Sequence, residues 1–490
     1  MGMIVKDRLV NLVGTENVLN EPSILDRYSR DISFVNTTRP ACIVKPRNAG
    51  EVREIVKLAN ETSTPLVPVS SGAPHFHGDT IPSAGGAVVV DLSGLKEIIR
   101  VDRFHRNAMV EAGVTFGELI PAAQKEGIRL NIPLLPKKTK SVVASMLERE
   151  PVTMPKYQWD ISDPIACLGL VMGNGEEFRT GQAAGPGTLE EQWAAGSVQK
   201  APYGPGPIGW HRFFVGAQGT MGIITWASLR CELLPKVEEP FMVGSTSLAP
   251  LLNMTELLMR RRLPNECFIL NRTNLAAIMA MNWPSDYQSI KYELPNWILF
   301  YNLVGYDYSP EDRVDYQKKD VLGITRQLGL EPQKAIGSVS ATELLKLVQK
   351  PCEEPQWKLR YKGASQDIFF ITINDKLESF IKTMDAVADN AGYPVTDLGV
   401  YLQPAVQGTS CHCEFDLFYD PANQSEAALV KAISHTATNS LLSQGGFFSR
   451  PYGENARMVM NRDAASVIAL NKVKKILDPN NILNPGKLCF

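Results

Sequence analysis

The sequence has no run of about 20 apolar residues, so no helix is expected to cross a bilayer. Its first 20 residues lack a basic-then-apolar export layout, because Lys6, Asp7, Arg8 and Glu16 interrupt them, and a cytosolic (cytoplasmic) location is expected. Neither sign of charge dominates. A net charge of -2 over 490 residues gives no general pull towards nucleic acid or anionic lipid. None of the eight cysteines (Cys42, Cys167, Cys231, Cys267, Cys352, Cys411, Cys413 and Cys489) belongs to a C-x-x-C pair. Zinc ribbons and iron–sulfur frameworks are therefore unsupported, and the cysteines read as reduced, mostly buried thiols. Internal repeats and low-complexity stretches are also missing.

What is present reads as two kinds of pattern. From Ala41 to Leu130 short apolar strands alternate with helices: strand Ala41–Val44, helix Glu51–Thr62, strand Pro65–Val69, strand Ala87–Leu92, then a strand, a turn at Gly113 and a helix opened by Thr115 with Glu118 three residues on. Ile165–Met172 and Glu176–Thr180 flank Gly173-Asn174-Gly175 as a hairpin. Residues 181–209 are rich in Gly, Pro and Ala and read as a long ordered loop or a flexible lid, and strands resume from Phe213 to Leu234. From about 237 to 440 amphipathic helices (Leu251–Arg262, Ser309–Leu328, Thr342–Val348, Asp375–Asn390, Gln424–Gly445) alternate with strands such as Trp297–Val304, Ile368–Ile373 and Cys413–Tyr419. That pattern predicts antiparallel α+β structure. A helix, Ala464–Ile476, and a polar tail close the chain.

Three segments carry chemistry. The loop Pro68 to Asp79 follows a strand, and its small residues let backbone N–H groups approach a phosphate, although a surface turn would look much the same. It has neither G-x-G-x-x-G nor G-K-[ST], so it is neither a Rossmann nor a Walker loop. Phe214 to Thr225 carries Gly216, Gly219 and Gly222 beside a β-branched run, as backbone pressed against a flat group or as a β-bulge would. The tail Asp478-Pro479-Asn480-Asn481-Ile482-Leu483-Asn484-Pro485-Gly486-Lys487 is a turn with a lysine available for a phosphate or carbonyl.

Taken in order, P-x-x-I-V-x-P, P-V-S-S-G, V-V-V-D-L-S-G-L-K-E-I, E-A-G-V-T-F-G-E-L, G-N-G-E-E-F-R-T-G, G-A-Q-G-T-M-G-I-I-T and D-P-N-N-I-L-N-P-G-K resemble the FAD-linked oxidoreductase family of the vanillyl-alcohol oxidase and p-cresol methylhydroxylase type, which also includes the glycolate-oxidase FAD subunit. The resemblance implies an α+β fold: a p-cresol-methylhydroxylase-type FAD-binding domain of two α/β subdomains over 1–236, an antiparallel-sheet cap over 237–440, and a segment 441–490 returning to the FAD domain. It implies FAD as cofactor. Position by position, Val69, Ser70, Ser71, Gly72, Ala73, Pro74 and His75 resemble the pyrophosphate loop. Gly219, Gly222 and Ile224 resemble the strand along the isoalloxazine, and Lys487 resembles the tail lysine near the flavin. Ser141, Ala144 and Ser145 stand where the family has a glycine-rich turn against the cofactor. Ala73 stands where some relatives carry a flavin-linking histidine, so attachment there is not expected, with His75 and His77 close by.

Two branches of the family compete. The 2-hydroxyacid branch grips a metal through H-x-G-D-G-N-x-H and G-E-H-G. Here Ala405 to His412 keeps only the last histidine, and Gly445 to Glu454 replaces the second motif, so no metal site is expected. The phenol-oxidising branch is matched by Arg179-Thr180-Gly181, the run Pro202 to Gly209, and Arg450 at the place of a phenolate-binding arginine. The neighbour of that arginine, usually Tyr, is Ser449, with Tyr452 two residues on. The expected chemistry is hydride transfer from an alcohol or phenol-type aromatic substrate to flavin, with Arg450, Tyr452 and His412 as catalytic candidates. The alternatives are a lactate- or glycolate-type dehydrogenase and an electron-transfer flavin subunit. The expected partners are a small-molecule substrate, a separate electron-acceptor protein and further copies of the chain in a homo-oligomer.

Overall fold

The first sheet takes β1 (Val18–Leu19), β2 (Cys42–Val44), β3 (Leu66–Val69) and β4 (Val88–Asp91) in the order β1-β2-β4-β3. The computed structural model describes residues 2–157, 164–204, 206 and 208–490. Every residue of β4 is buried, as its three valines require of a strand inside a parallel sheet, and β2 and β3 run parallel to it on either side. The crossover helix Ala49–Thr62 starts where the Asn48 side chain accepts from the Glu51 N–H. It turns Val52, Ile55, Val56, Leu58 and Ala59 onto the sheet.

The second sheet is antiparallel: β5 (Ile98–Asp102), β6 (Asn107–Glu111), β10 (Ile223–Leu233), β8 (Ile165–Val171) and β9 (Glu177–Arg179), with β7 (Ile128–Leu130) also on β10. Thr115 and Glu118 form the expected capping box of the helix Phe116–Lys125. One expectation needs correcting. Strand structure does not resume at Phe213. Residues 214–222 form a loop in which Gly216 and Gly219 take φ of 78° and 71°, outside any ladder geometry, and β10 starts at Ile223. The 181–209 stretch holds a short helix, Leu189–Ala194, with a capping box between Thr188 and Glu191; Pro205 and Pro207 of the Pro202–Gly209 run lie outside the described residues.

The third sheet is six-stranded and antiparallel: β11 (Val237–Ser245), β13 (Trp297–Gly305), β12 (Cys267–Asn271), β17 (Leu398–Ala405), β18 (Ser410–Tyr419) and β16 (Ala364–Thr372), in that order. A small hairpin, β14 (Ala335–Ile336) with β15 (Val339–Ser340), lies outside it. One face packs on the helices Ala249–Arg260, Pro310–Leu328, Leu377–Asn390 and Gln424–Ser443. The sequence reading omitted β12, β17 and the helix Arg272–Met279. β17 is buried along its whole length, and Thr273–Ile278 are all buried, so neither shows the half-polar period that marks a surface element. Among the described residues no helix is long and apolar enough to cross a membrane.

The tail joins the first two sheets. After the helix Ala464–Leu477, the buried Lys474 ammonium donates to the Thr220 carbonyl (2.5 Å), the Leu483 carbonyl (2.9 Å) and Asp478 (2.5 Å). Asp478 accepts from the N–H groups of Ile482 and Leu483. Leu483 pairs with Leu66 at the start of β3, and Asn484 Nδ2 donates to the carbonyls of Asp79 and Gln218. Asp478→Ala would leave the Lys474 ammonium unpaired in a dry site, a loss of about 3–5 kcal/mol. We expect a clear fall in the thermal midpoint, partly recovered when Lys474→Met removes the stranded charge. Equal midpoints for Asp478→Ala and wild type would show that the pair does not hold the tail.

Candidate active site

Residues of all three sheets and their loops, with Arg450 and Tyr452, line a cavity of about 1740 Å³, its open mouth included. One half is lined by the loop after β3 (Pro68–Ser71 and Pro74–His77), by Ala144 and Leu147, and by Gly216–Gly219, Gly222 and Ile224. The other half is lined by the third sheet together with Arg450 and Tyr452.

In the first half Val69, Ser70, Ser71, Pro74 and His75 line the cavity, whereas Gly72 and Ala73 do not. The Gly72 N–H is spent on the Thr139 carbonyl (2.9 Å) and its carbonyl accepts from Lys137 Nζ (2.6 Å). The backbone N–H groups of Ser71, His75, Phe76 and His77 meet no protein acceptor among the described residues. All four residues line the cavity, and such a row of free donors fits a pyrophosphate. Ser141 and Ser145 lie behind the wall. The Ser141 hydroxyl caps Ala144 N–H and donates to the Ala112 carbonyl, and the Ser145 hydroxyl bonds Glu150, so of that trio only Ala144 reaches the cavity.

Gly219, Gly222 and Ile224 all line the cavity. A Cβ on Gly219 would meet Pro68 Cγ at 2.4 Å, and one on Gly222 would meet Leu170 Cδ1 at 2.9 Å. The demand for glycine at 222 thus comes from the protein's own core. Lys487 does not line the cavity either. Its ammonium donates to the Gly78 carbonyl (2.7 Å) and anchors the loop from behind.

Sequence reasoning missed several charged residues of the wall, which carry no motif. Lys140 pairs with Glu148 and Glu150, both at 2.7 Å. Burial pushes the Glu148 carboxyl up to about 7, with Glu150 and Asp79 adding to the effect and Lys140 opposing it. Burial also lowers Lys137 to about 8, helped by the nearby Lys140 charge.

The second half is built on one face of the third sheet. Cross-strand register aligns Tyr401 with Glu414 and Glu414 with Phe369, and in the next row Gly399 with Asp416 and Asp416 with Asp367. The Lys358 ammonium lies among Asp367 (2.6 Å), Glu414 (2.6 Å) and Asp416 (2.8 Å), three carboxylates near enough together to hold a cation. Asn274 supports Asp416 at 2.6 Å. It passes over Gly399, where a Cβ would lie 2.0 Å from the Asn274 oxygen. Burial would raise the Glu414 carboxyl, but Lys358 and His412 outweigh it and hold Glu414 well below the usual range, whereas burial pushes Asp416 far up.

His412 does not line the cavity. It lies behind Phe369 and Tyr401 and bonds Glu414 at 3.0 Å, so it can position that carboxylate but does not reach a substrate. Arg450 and Tyr452 do line the cavity. The Arg450 guanidinium, in a residue 6% exposed, stacks 4.1 Å from the centre of the Phe369 ring. Among the described residues it has no hydrogen bond or ion pair with protein, and the Tyr452 hydroxyl likewise has no protein partner. Two residues from the other half fix its backbone: Arg149 donates to the Ser449 carbonyl and Gln218 to the Pro451 carbonyl, both at 2.7 Å. Arg149 and Gln218 each adopt left-handed φ, of 56° and 52°, strain of the kind that gathers at functional sites.

Comparison with known proteins places this geometry. A family profile of an FAD binding domain matches residues 40–181, and a profile of the C-terminal domain of FAD linked oxidases matches residues 374–488. The flavoprotein subunit of 4-cresol dehydrogenase (hydroxylating) from Pseudomonas putida is 24% identical over 97% of this chain and 93% of that protein. Glycolate oxidase subunit GlcD of Bacillus subtilis is 21% identical over 99% and 96%. The mitochondrial D-lactate dehydrogenase (cytochrome) of Arabidopsis thaliana is 23% identical over 92% and 73%. The crystal structure of p-cresol methylhydroxylase with substrate bound superposes with a TM-score of 0.85 at 21% identity, covering 100% of this chain and 96% of that one. A 4-ethylphenol oxidase from Gulosibacter chungangensis, as its isoeugenol complex, gives 0.85 at 18% identity over 99% and 96%.

The wall makes stability depend on pH. Burial lowers His75 and His77 from the ordinary 6.5 to about 4. Lys137 and Lys140 add to this at His75, as do Lys140 and Arg450 at His77, while Asp91 and Asp367 respectively oppose it. Between those pH values the unfolded chain binds protons that the folded chain refuses, so acidification from about 6.5 to 4 destabilises the fold, by up to about 3 kcal/mol per ring. Glu148, raised to about 7, and Asp79 and Asp416, also raised by burial, act in the opposite direction. We expect acidification through this window to cost the flavin-free wild type more thermal midpoint than it costs a His75→Asn, His77→Asn double variant. Parallel curves would count against buried neutral rings.

Proposed function

Because the chain belongs to the family of FAD-linked oxidases, we propose that it oxidises an alcohol or phenol-type aromatic substrate, delivering a hydride to bound FAD. The observation that carries this reading is Arg450, a buried guanidinium with no protein acceptor among the described residues, set on a phenyl face in the cavity wall. A planar cation on an aromatic wall suits an oxyanion on a planar substrate. The Tyr452 hydroxyl offers a second donor beside it.

Within this reading Val69–Ser71, Pro74, His75, Ala144, Gly219, Gly222 and Ile224 would contact FAD. Gly72, Ala73, Ser141, Ser145 and Lys487 would shape the cradle from behind. Residues 1–236 and 441–490 would form the FAD-binding unit and 237–440 the cap. FAD supplies the hydride acceptor. The protein's own contribution is to orient the substrate oxygen through Arg450 and Tyr452, to enclose the ring with Phe369, Tyr401 and Trp357, and to keep Glu414 ionised through Lys358 and His412. The words "flavoprotein subunit" and "cytochrome" in the names of two relatives support a separate electron-acceptor protein. The cytoplasmic location and homo-oligomeric state expected from the sequence remain part of the proposal.

The 2-hydroxyacid reading is kept by the likeness to glycolate oxidase and D-lactate dehydrogenase. Against it, Lys358 places its ammonium among Asp367, Glu414 and Asp416, the group of carboxylates that could hold a divalent ion among the described residues. Anaerobic mixing separates the two readings: we expect 4-hydroxybenzyl alcohol to bleach the flavin and D-lactate to leave it yellow, with no loss on chelation. Bleaching by D-lactate that is abolished by a chelator and restored by zinc or manganese would reverse the assignment. Arg450→Ala should keep flavin and fold. It should lose one charge-assisted hydrogen bond of about 1.5–3 kcal/mol, which is roughly 10- to 150-fold in kcat/KM. Loss of flavin instead would make Arg450 a cofactor ligand.

A further inference from the structure

A second cavity lies on the far side of Arg450. It shares a wall of six residues with the first: Phe76, His77, Asp367, Phe369, Arg450 and Tyr452. Its other lining includes Ser434 and the exposed Lys431, His435 and Glu454, so it leads from that wall to the surface. Phe76, Phe369 and Arg450 carry no group that takes up and releases a proton near neutral pH, and the Tyr452 hydroxyl is spent, on the reading above, as a donor to the substrate oxygen. Phe369 carries Arg450, and Tyr452 stacks on His77 with ring centres 4.5 Å apart and planes 20° apart. Asp367 is occupied by Lys358 and by the Ser365 hydroxyl. His77 differs. No protein hydrogen bond reaches its ring nitrogens among the described residues, its ring is held by the Tyr452 face and the Phe369 edge, and it borders both cavities.

We propose that His77 carries the substrate's hydroxyl proton from the main cavity to the second cavity and so to solvent. The inference rests on the reading above, in which a hydroxyl is bound at Arg450 and Tyr452. As the substrate O–H bond breaks, its proton goes to one imidazole nitrogen. The other nitrogen gives up its own proton to water in the second cavity, so the ring ends neutral. The oxyanion is held by Arg450 and Tyr452; FAD, when bound, would supply the hydride acceptor, and the substrate oxygen would end as a neutral carbonyl-type oxygen. Imidazole suits the task because its two nitrogens lie on opposite edges and exchange donor and acceptor roles. A loop histidine stacked in a wall can serve both sides in one transfer; it ends in the other tautomer, which a ring flip or a proton returned from solvent resets.

The probe is 4-nitrophenol, mixed with flavin-loaded protein at mildly acidic pH, where the free phenol carries its proton. Phenolate absorbance and a pH indicator in the same shot report ionisation in the site and proton release. In wild type we expect rapid ionisation with one proton released per phenol bound. In His77→Gln, with flavin content unchanged, both should slow on the order of 10²-fold and recover on addition of imidazole. Ser434→Phe, which narrows the second cavity without touching the first, should slow release in wild type and suppress the imidazole rescue. If His77→Gln ionises the phenol at the wild-type rate, the inference fails. If His77→Gln loses flavin, Ser434→Phe decides: release at the wild-type rate in that variant also defeats the inference. If the phenol does not ionise in wild type at all, the fault lies with the assignment of Arg450.

Discussion

The ion pair of Lys474 and Asp478 is the constraint on which the cavity depends. Both residues are buried, and burying two charges is unfavourable unless every donor and acceptor is met. An ammonium has three N–H groups, and Lys474 places them on Thr220, Asp478 and Leu483. The carboxylate takes, besides the lysine, the N–H groups of Ile482 and Leu483. Thr220 belongs to the glycine loop before β10, and Leu483 lies against Leu66, where the strand before the Pro68–Thr80 loop begins. One satisfied pair thus fixes both walls of the cofactor half relative to each other. Asn484 and Lys487 extend the grip to Gln218, Asp79 and Gly78.

The two halves of the cavity are then made by different physics. Backbone makes the first, through N–H groups on the loop after β3 that meet no acceptor among the described residues and close approaches that only glycine permits at 219 and 222. Side chains on one sheet face make the second. There Lys358, Glu414, Asp367 and Asp416 largely satisfy one another, and burial drives Asp416 towards its protonated form, which limits the net charge of the patch. Arg450 is left out of that network. Its carbonyl neighbours are gripped by Arg149 and Gln218, so its backbone is held in place while its donors meet no protein acceptor among the described residues. A buried cation costs stability at that spot unless an anion meets it.

How much could be read beforehand divides along the same line. Local patterns were enough where one face of an element is buried or a cap is complete. The helix Ala49–Thr62, the capping box at Thr115 and Glu118, the hairpin around Asn174 and the long helices of the third sheet all followed from period and turn chemistry. The family followed from glycines and the tail motif, because those positions answer to backbone geometry that few residues satisfy. Arg450 was legible for the same reason, as a fixed place relative to the tail.

Tertiary structure alone decided which of the named residues face the cavity. Gly72, Ser141, Ser145 and Lys487 belong to motifs, but a motif records that a position is constrained and does not say from which side. At each of these the constraint comes from neighbouring backbone or from the loop's own anchoring. His412 became a candidate as the one histidine matching the last position of H-x-G-D-G-N-x-H, and cross-strand register put Phe369 and Tyr401 in front of it. Lys358, Asp367, Glu414 and Asp416 come from three separate segments, and only the pairing of β16 with β18 and the fold of the chain over Trp357 bring them together. Strand pairing between residues some fifty positions apart leaves no period in the sequence, so the charge pattern of this wall exists only once the sheet has formed.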